Sequence, residues 1–415
     1  MQTNLAPEYK NTADGAAAEA ILRKCVHCGF CTATCPTYQL LGDELDGPRG
    51  RIYLMKQVLE GATPTRKTQM HLDRCLTCRS CESTCPSGVD YGHLLDIGRK
   101  LVDAKVPRPL GERSLRWALK EGLPSPLFGP AMKLGQLVRP LMPTALKNKV
   151  PAAQPAGAWP SAVHARKVLI LLGCAQPSMA PNINSATARV FDAAGIQSVV
   201  APKAGCCGAV KFHLNDQDGG KAEMRANIDA WWPQVVGSLD HAGVEGIVMN
   251  ASGCGVMVKD YGHILKDDPA YADKAARISA LTQDVSEWLP ELAQKLRDKV
   301  KARAASIAFH PPCTLQHGQQ LRGGVEQYLG ELGFNIKITG CEAHLCCGSA
   351  GTYSVLNPDL SYQLRDRKLG HLNETFGATP PEVIASANIG CITHLQSGTA
   401  TPVRHWIEVL DQALV

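Results

Sequence analysis

A twelve-residue phrase is written twice in this chain, as CVHCGFCTATCP at 25–36 and CLTCRSCESTCP at 75–86. Each copy is C-x2-C-x2-C-x3-C-P, with Cys25, Cys28, Cys31, Cys35 and Pro36 in the first and Cys75, Cys78, Cys81, Cys85 and Pro86 in the second. Three thiols at intervals of three residues can curl round three corners of a cubic iron–sulfur cluster. The proline then starts a turn or helix that carries the chain away. Zinc is the competing reading, but its sites use C-x2-C pairs set well apart, four ligands to an ion. Four cysteines within eleven residues, twice over, fit that poorly.

The duplication has a physical reason. Where two such clusters lie side by side, the fourth thiolate of each phrase ligates the other cluster. The spacing therefore predicts one 4Fe–4S cluster on Cys25, Cys28, Cys31 and Cys85, and a second on Cys75, Cys78, Cys81 and Cys35. His27 is read as a hydrogen-bonding neighbour, because four thiolates already complete the cluster. Between the phrases, Gly47, Pro48 and Gly50 mark a turn, and Ile52, Leu54, Met55, Val58 and Leu59 recur at near-helical spacing. Arg49 and Arg51 precede that helix. Two readings stay open for them: neutralising cluster charge or meeting a partner, and a merely solvated helix start.

A second, longer repeat follows. Cys174 ends the apolar run KVLILLG, Cys206-Cys207-Gly208 follow, and Cys254 comes after GIVMNASG. The pattern recurs as Cys313 after SIAFHPP, then Cys346-Cys347-Gly348, then Cys391 after EVIASANIG. The short apolar runs read as buried parallel strands alternating with helices. In open α/β sheets, ligands bind beyond the carboxyl ends of the strands. Cys174, Cys206, Cys207 and Cys254 thus form one candidate additional metal site, and Cys313, Cys346, Cys347 and Cys391 another. The bland alternative is that they are buried small hydrophobes. Cys341 has no counterpart in the first unit and reads as structural or accessory. His213, His310, His317, His344 and His394 are read as packed or surface residues.

Seventeen cysteines suit a reducing compartment, where clustered thiols hold metals or do redox work rather than pair as disulfides. No basic segment followed by an apolar stretch opens the chain, and no run is long enough to span a bilayer. The expectation is a cytoplasmic protein, or one peripheral on the inner face of the cytoplasmic membrane. The net charge of +5 is too small to argue for nucleic acid. Residues 111–167, however, carry nine basic and two acidic side chains, a net of +7, in a proline-rich stretch. A connector packed on its own domains is the favoured reading there; a membrane-surface contact is the other. The expected architecture is α+β and multidomain. A mainly α-helical two-cluster ferredoxin-like module occupies 1–105, a basic proline-rich helical linker 106–165, and two α/β cysteine-rich units 166–300 and 301–415.

Two C-x2-C-x2-C-x3-C-P phrases, the PRGR turn at 48–51 with the helix RIYLMKQVLEG after it, and two Cys-Cys-Gly units together resemble the glycolate oxidase iron–sulfur subunit family over nearly the whole chain. Related arrangements occur in the small subunit of anaerobic glycerol-3-phosphate dehydrogenase, in lactate-utilisation proteins and in heterodisulfide reductase. The resemblance implies an electron-transfer subunit of a flavin-dependent 2-hydroxy-acid dehydrogenase. Such a subunit takes electrons from FAD on partner flavoprotein subunits toward a quinone or other membrane acceptor. Glycolate is the expected substrate, lactate or glycerol 3-phosphate the alternatives. Further iron–sulfur clusters in the cysteine-rich units are left open. A catalytic role of the heterodisulfide-reductase kind is the rival, but that family's units end in C-x2-C, and here Ala251 and Asn388 stand where the first of those cysteines would be. No G-x-G-x-x-G opens a βαβ unit and no P-loop is present, so flavin is expected on another chain.

Overall fold

The computed structural model describes residues 1–143, 147, 150–237, 243–303 and 305–415. The first hundred residues are helical. Helix α1 (Ala13–Lys24) is capped by Thr12, whose hydroxyl accepts from Gly15 N at 3.0 Å. Helix α2 (Pro48–Leu59) starts on a proline, which loses nothing at a position whose N–H has no helical partner. Its buried face is Ile52, Met55, Val58 and Leu59, close to the sequence expectation. Helix α3 (Arg66–Asp73) opens with a Thr65–Thr68 capping box, and α4 (Tyr91–Lys105) buries Leu94, Leu95 and Val102. A Cβ on Gly98 of α4 would come within 2.3 Å of Met55 Sδ, so α4 crosses α2 closely there and a larger residue would have to displace the Met55 side chain.

Helices α5 (Leu110–Gly122) and α6 (Phe128–Val138) occupy the basic stretch, and neither buries a residue. The polar side of α5 is anchored: Arg116 pairs with Asp73 at 3.2 Å and Lys120 with Asp216 at 2.8 Å. Leu127, Leu134, Leu137 and Leu141 stay exposed. The connector therefore packs on its own domains along α5 and leaves an uncovered apolar row along α6.

Two four-stranded sheets follow, each wholly parallel. Strands β1 (Arg166–Ile170), β2 (Ile196–Val199), β3 (Ile247–Met249) and β4 (Thr282–Asp284) lie in the order β2-β1-β3-β4. Strands β5 (Ser306–His310), β6 (Asn335–Ile338), β7 (Val383–Ser386) and β8 (Val403–His405) repeat it as β6-β5-β7-β8. The order reverses between β1 and β3, and between β5 and β7, which makes each junction a crevice for a ligand. The two sheets share one core running from Val168 and Phe191 to Phe309 and Trp406.

The helical module leans on both sheet units. Arg79 donates to Asp260 at 2.8 Å, Ser83 Oγ meets His317 Nδ1 at 2.9 Å, and the Tyr353 hydroxyl donates to the Arg74 carbonyl at 3.1 Å. His93 stacks on His263 with ring centroids 4.0 Å apart, and its Nε2 faces Asp260 at 3.6 Å. Asp260 raises the pKa of His93 against the opposing effects of burial and Arg79. His263 is lowered by burial and by His93, so it stays neutral. A histidine raised on folding contributes stability below its unfolded pKa of about 6.5, and that contribution fades as pH climbs through the folded value. The melting temperature is therefore expected to fall as pH rises above about 6.5, and His93→Gln to flatten that fall in calorimetry. An unchanged slope in the variant would assign the titration elsewhere.

Candidate metal centres

The two cysteine phrases close round two adjacent hollows. Cys25, Cys28, Cys31 and Cys85 line the first, a hollow of about 440 Å³ that is partly open to solvent. Cys35, Cys75, Cys78 and Cys81 line the second, of about 300 Å³, and Cys81 borders both. Backbone conformation bends the loops inward. His27 (φ 56°) and Gly29 (φ 85°) are left-handed in the first phrase, and Thr77 (φ 54°) and Arg79 (φ 56°) hold the equivalent places in the second. Three of those four are not glycine, and each costs of order 1–3 kcal/mol. Such strain persists only where the surroundings demand the turn.

The donors suit an iron–sulfur cluster: soft sulfurs, four assigned to each hollow, of which Cys25, Cys35, Cys75 and Cys81 are buried and Cys28 is exposed. Burial and the neighbouring Cys25 push the Cys31 thiol up to about 11, and burial holds Cys78 and Cys81 well above the usual thiol range. These groups stay protonated until a metal's positive charge draws the protons off. Thr77 N donates to Cys75 Sγ at 3.4 Å, and the Tyr91 hydroxyl donates to the same sulfur at 3.7 Å. Hydrogen bonds of this kind tune a cluster's potential.

Arg51 lines the second hollow and is 1% exposed, which removes the solvated reading for it. Its guanidinium donates to the His71 carbonyl at 2.7 Å, Thr37 Oγ1 at 3.1 Å and Asp46 Oδ1 at 3.3 Å. Asp46 also accepts from Arg74 at 2.8 Å. Cys75 and Cys35 are among the groups that raise the Arg51 pKa against burial, so the guanidinium lies within the field of those two thiols. Arg49 is different: it is partly exposed, pairs with Glu44 at 2.6 Å and lines the first hollow.

In the sheet units, Cys174 and Cys254 fall just past β1 and β3, and Cys313 and Cys391 just past β5 and β7, at the two crevices. The Cys-Cys-Gly turns bring the remaining thiols alongside. Cys206 lies between Cys174 and Cys207, whose thiols stabilise its thiolate and lower its pKa; Cys207 lies next to Cys254. Burial and Cys206 push Glu223 up to about 7. In the second unit Cys313 Sγ and Cys346 Sγ are 3.7 Å apart, and Cys346, Cys347 and Cys391 follow in a chain. Glycine is obligatory in both turns: Gly208 and Gly348 have φ of 89° and 90°, and a Cβ would strike Gly220 O at 2.9 Å and Ser361 O at 2.4 Å.

Several neighbours escaped the sequence reading. Tyr91 lines both hollows. Lys368 is fully buried near the second unit's thiols and donates to the Glu342 carbonyl at 2.5 Å. His310, read from sequence as a packed histidine, is fully buried beside Cys347 and Cys391. Cys341 is exposed.

A family described as 4Fe-4S dicluster domain matches residues 21–89, and one described as cysteine-rich domain matches 168–259 and 307–396. The chain is 55% identical over 417 residues to the glycolate oxidase iron-sulfur subunit of Escherichia coli K12, covering 100% of this chain and 99% of that protein. It is 31% identical over 421 residues to the probable glycolate oxidase iron-sulfur subunit of Bacillus subtilis 168, covering 94% and 91%. Lactate utilization protein A of an Exiguobacterium strain is 23% identical over 252 residues, 60% of this chain.

Removing the buried guanidinium leaves Asp46 with one arginine fewer. Arg51→Met is expected to cost about 3 kcal/mol in urea unfolding of the metal-loaded protein. Replacing Asp46 by Leu in the same chain should return part of that loss, since an apolar pair avoids the stranded charge. A single variant within about 0.5 kcal/mol of the parent would show that Arg51 does not brace the module.

Proposed function

The chain belongs to the glycolate oxidase iron–sulfur subunit family, and from that membership we propose that it is the electron-transfer subunit of a flavin-dependent 2-hydroxy-acid dehydrogenase. The substrate is glycolate, oxidised to glyoxylate on a partner chain. Full-length identity to the Escherichia coli subunit favours glycolate over lactate, whose relatives match a smaller part of the chain. The observation that carries the reading is the pair of four-thiol hollows sharing the Cys81 border. Each holds one 4Fe–4S cluster, on Cys25, Cys28, Cys31 and Cys85 and on Cys75, Cys78, Cys81 and Cys35. A cubane cluster exchanges one electron at a time, so two in contact suit the pair of electrons that a flavin releases.

The protein's part is to hold, insulate and tune. Ile52 and Val89 wall the first hollow against water. Arg51, Thr77 N–H and the Tyr91 hydroxyl offset negative charge at the second. Cys28 is exposed, with Val26 and Phe30 open beside it, so the flavoprotein partner meets the first hollow. The second faces inward, where Leu76 and Cys78 pack with Leu345 and Tyr353. The FAD resides on that partner, in keeping with the absence of a dinucleotide fingerprint in this sequence.

The acceptor is a quinone or another membrane carrier. Among the described residues no helix is long and apolar enough to cross a membrane. The net charge of +7 over 111–167 and the bare leucines of α6 support a peripheral seat on an anionic bilayer.

Two measurements test these assignments. Anaerobically purified protein is expected to carry about eight irons and eight sulfides in the dicluster module, with two interacting spin-½ signals on reduction; Cys85→Ala should lose the first signal and keep the second. A colourless, spin-silent protein would sink the relay. Co-sedimentation with phosphatidylglycerol vesicles is expected at low salt and should fall as salt rises. Protein that stays in the supernatant at every salt concentration removes the membrane seat.

A further inference from the structure

His310 ends β5 and is 0% exposed, and neither ring nitrogen has a hydrogen-bond partner. A buried imidazole with nothing to bond to forfeits the hydration it would have in water, so an orphaned one calls for an explanation. A ligating nitrogen of His310 and the sulfurs of Cys347 and Cys391 all lie within 4.8 Å of one another, and all three residues are buried. Among the described residues one other triad of ligand types is as tight, Asp43, Asp46 and His71. There the Asp46 carboxylate is already satisfied by Arg51 and Arg74.

The spacing says what kind of centre fits. Round one tetrahedral zinc-like ion, with metal–sulfur bonds near 2.3 Å and metal–nitrogen bonds near 2.0 Å, the donors stand roughly 3.5–3.8 Å apart. Ligand sulfurs on a cubane stand farther apart, because each binds a different iron. The ferredoxin thiols, which line two broad hollows, form no such tight triad among the described residues. The first sheet unit cannot reproduce the set. Three residues before Cys174, where the second unit has His310 before Cys313, it carries the buried Leu171.

We propose that the second cysteine-rich unit binds a single divalent ion of the zinc class through His310, Cys347 and Cys391. Cys346, next in the chain, interacts with the thiols of Cys347 and Cys313 and stands outside this tight group. Binding releases one proton from each thiol to solvent and takes the imidazole neutral, with no electron exchanged. Two thiolates and a neutral imidazole balance the charge of a dication, and the buried Lys368 ammonium lies near the thiols. The ion is redox-inert, so the site anchors rather than relays. It fixes the wall of Leu345 and Cys346 against Leu76 and Cys78 of the second hollow. This assignment stands on the second unit's own residues and holds whichever substrate the partner oxidises.

The test is zinc, iron and acid-labile sulfide on the full chain, purified anaerobically with both metals supplied. About one zinc per chain is expected beside the dicluster iron. Cobalt in its place should give the intense visible bands of a tetrahedral thiolate site. His310→Leu, which copies the first unit, should remove that zinc and leave iron, sulfide and reduced-state spin signals intact. Cys391→Ser should do the same, and His310→Cys should keep the zinc, which separates loss of a ligand from loss of the fold. Cys174→Ser should leave zinc unchanged. Zinc retained by both His310→Leu and Cys391→Ser overturns the assignment. So does a zinc-free chain whose iron rises to about twelve per chain.

Discussion

Arg51 is the point from which the first hundred residues are braced. Its guanidinium reaches Thr37 just after the first cysteine phrase, the His71 carbonyl just before the second, and Asp46 between them. One side chain thus ties both loops to the helix that separates them. Guanidinium serves where ammonium would not, because a rigid fork of donors can meet three acceptors at fixed angles. A buried charge is a poor source of net stability, but a costly one to leave unpaired. Its worth here is positional: the same cation that fixes the loops stands behind the thiols of Cys35 and Cys75.

The sheet units solve a different problem with the same economy. A parallel sheet with its order reversed at the centre leaves a crevice at the strand ends, and a cysteine just past each central strand needs no other help to face it. The Cys-Cys-Gly turn then comes in from the neighbouring edge. It can do so because Gly208 and Gly348 admit a carbonyl oxygen where any Cβ would collide. Thiol convergence is thus a property of topology plus one glycine, which is why it recurs in two units whose other residues differ.

That division explains what the sequence made readable. Ligand spacing is local, so C-x2-C-x2-C-x3-C-P announced the dicluster module without any knowledge of the fold, and the matched Cys-Cys-Gly turns announced the two α/β units. Arg51 was ambiguous because burial is not local: nothing in PRGR says that Thr37 and His71 close over it. The left-handed backbone was visible at Gly29 but hidden at His27, Thr77 and Arg79, whose side chains do not advertise positive φ. Tyr91 and Lys368 were hidden for the same reason as Arg51, since the fold, and not a motif, turns each of them from its helix toward the thiols.

The two sheet units also show how a repeat diverges. Their strand order and their four cysteines correspond, yet the residue three positions before the first cysteine is Leu171 in one and His310 in the other. In the first unit that position is ordinary core, and the polar neighbours are Glu223 and Asn227, an acid and an amide. In the second they are an imidazole and the Lys368 ammonium, a neutral ligand and a cation. Acid beside thiols disfavours a further build-up of negative charge, whereas a cation beside thiols invites it. One scaffold therefore presents two electrostatic environments to the same four sulfurs, and the unit with the buried ammonium is the one that abuts the inner hollow of the dicluster module.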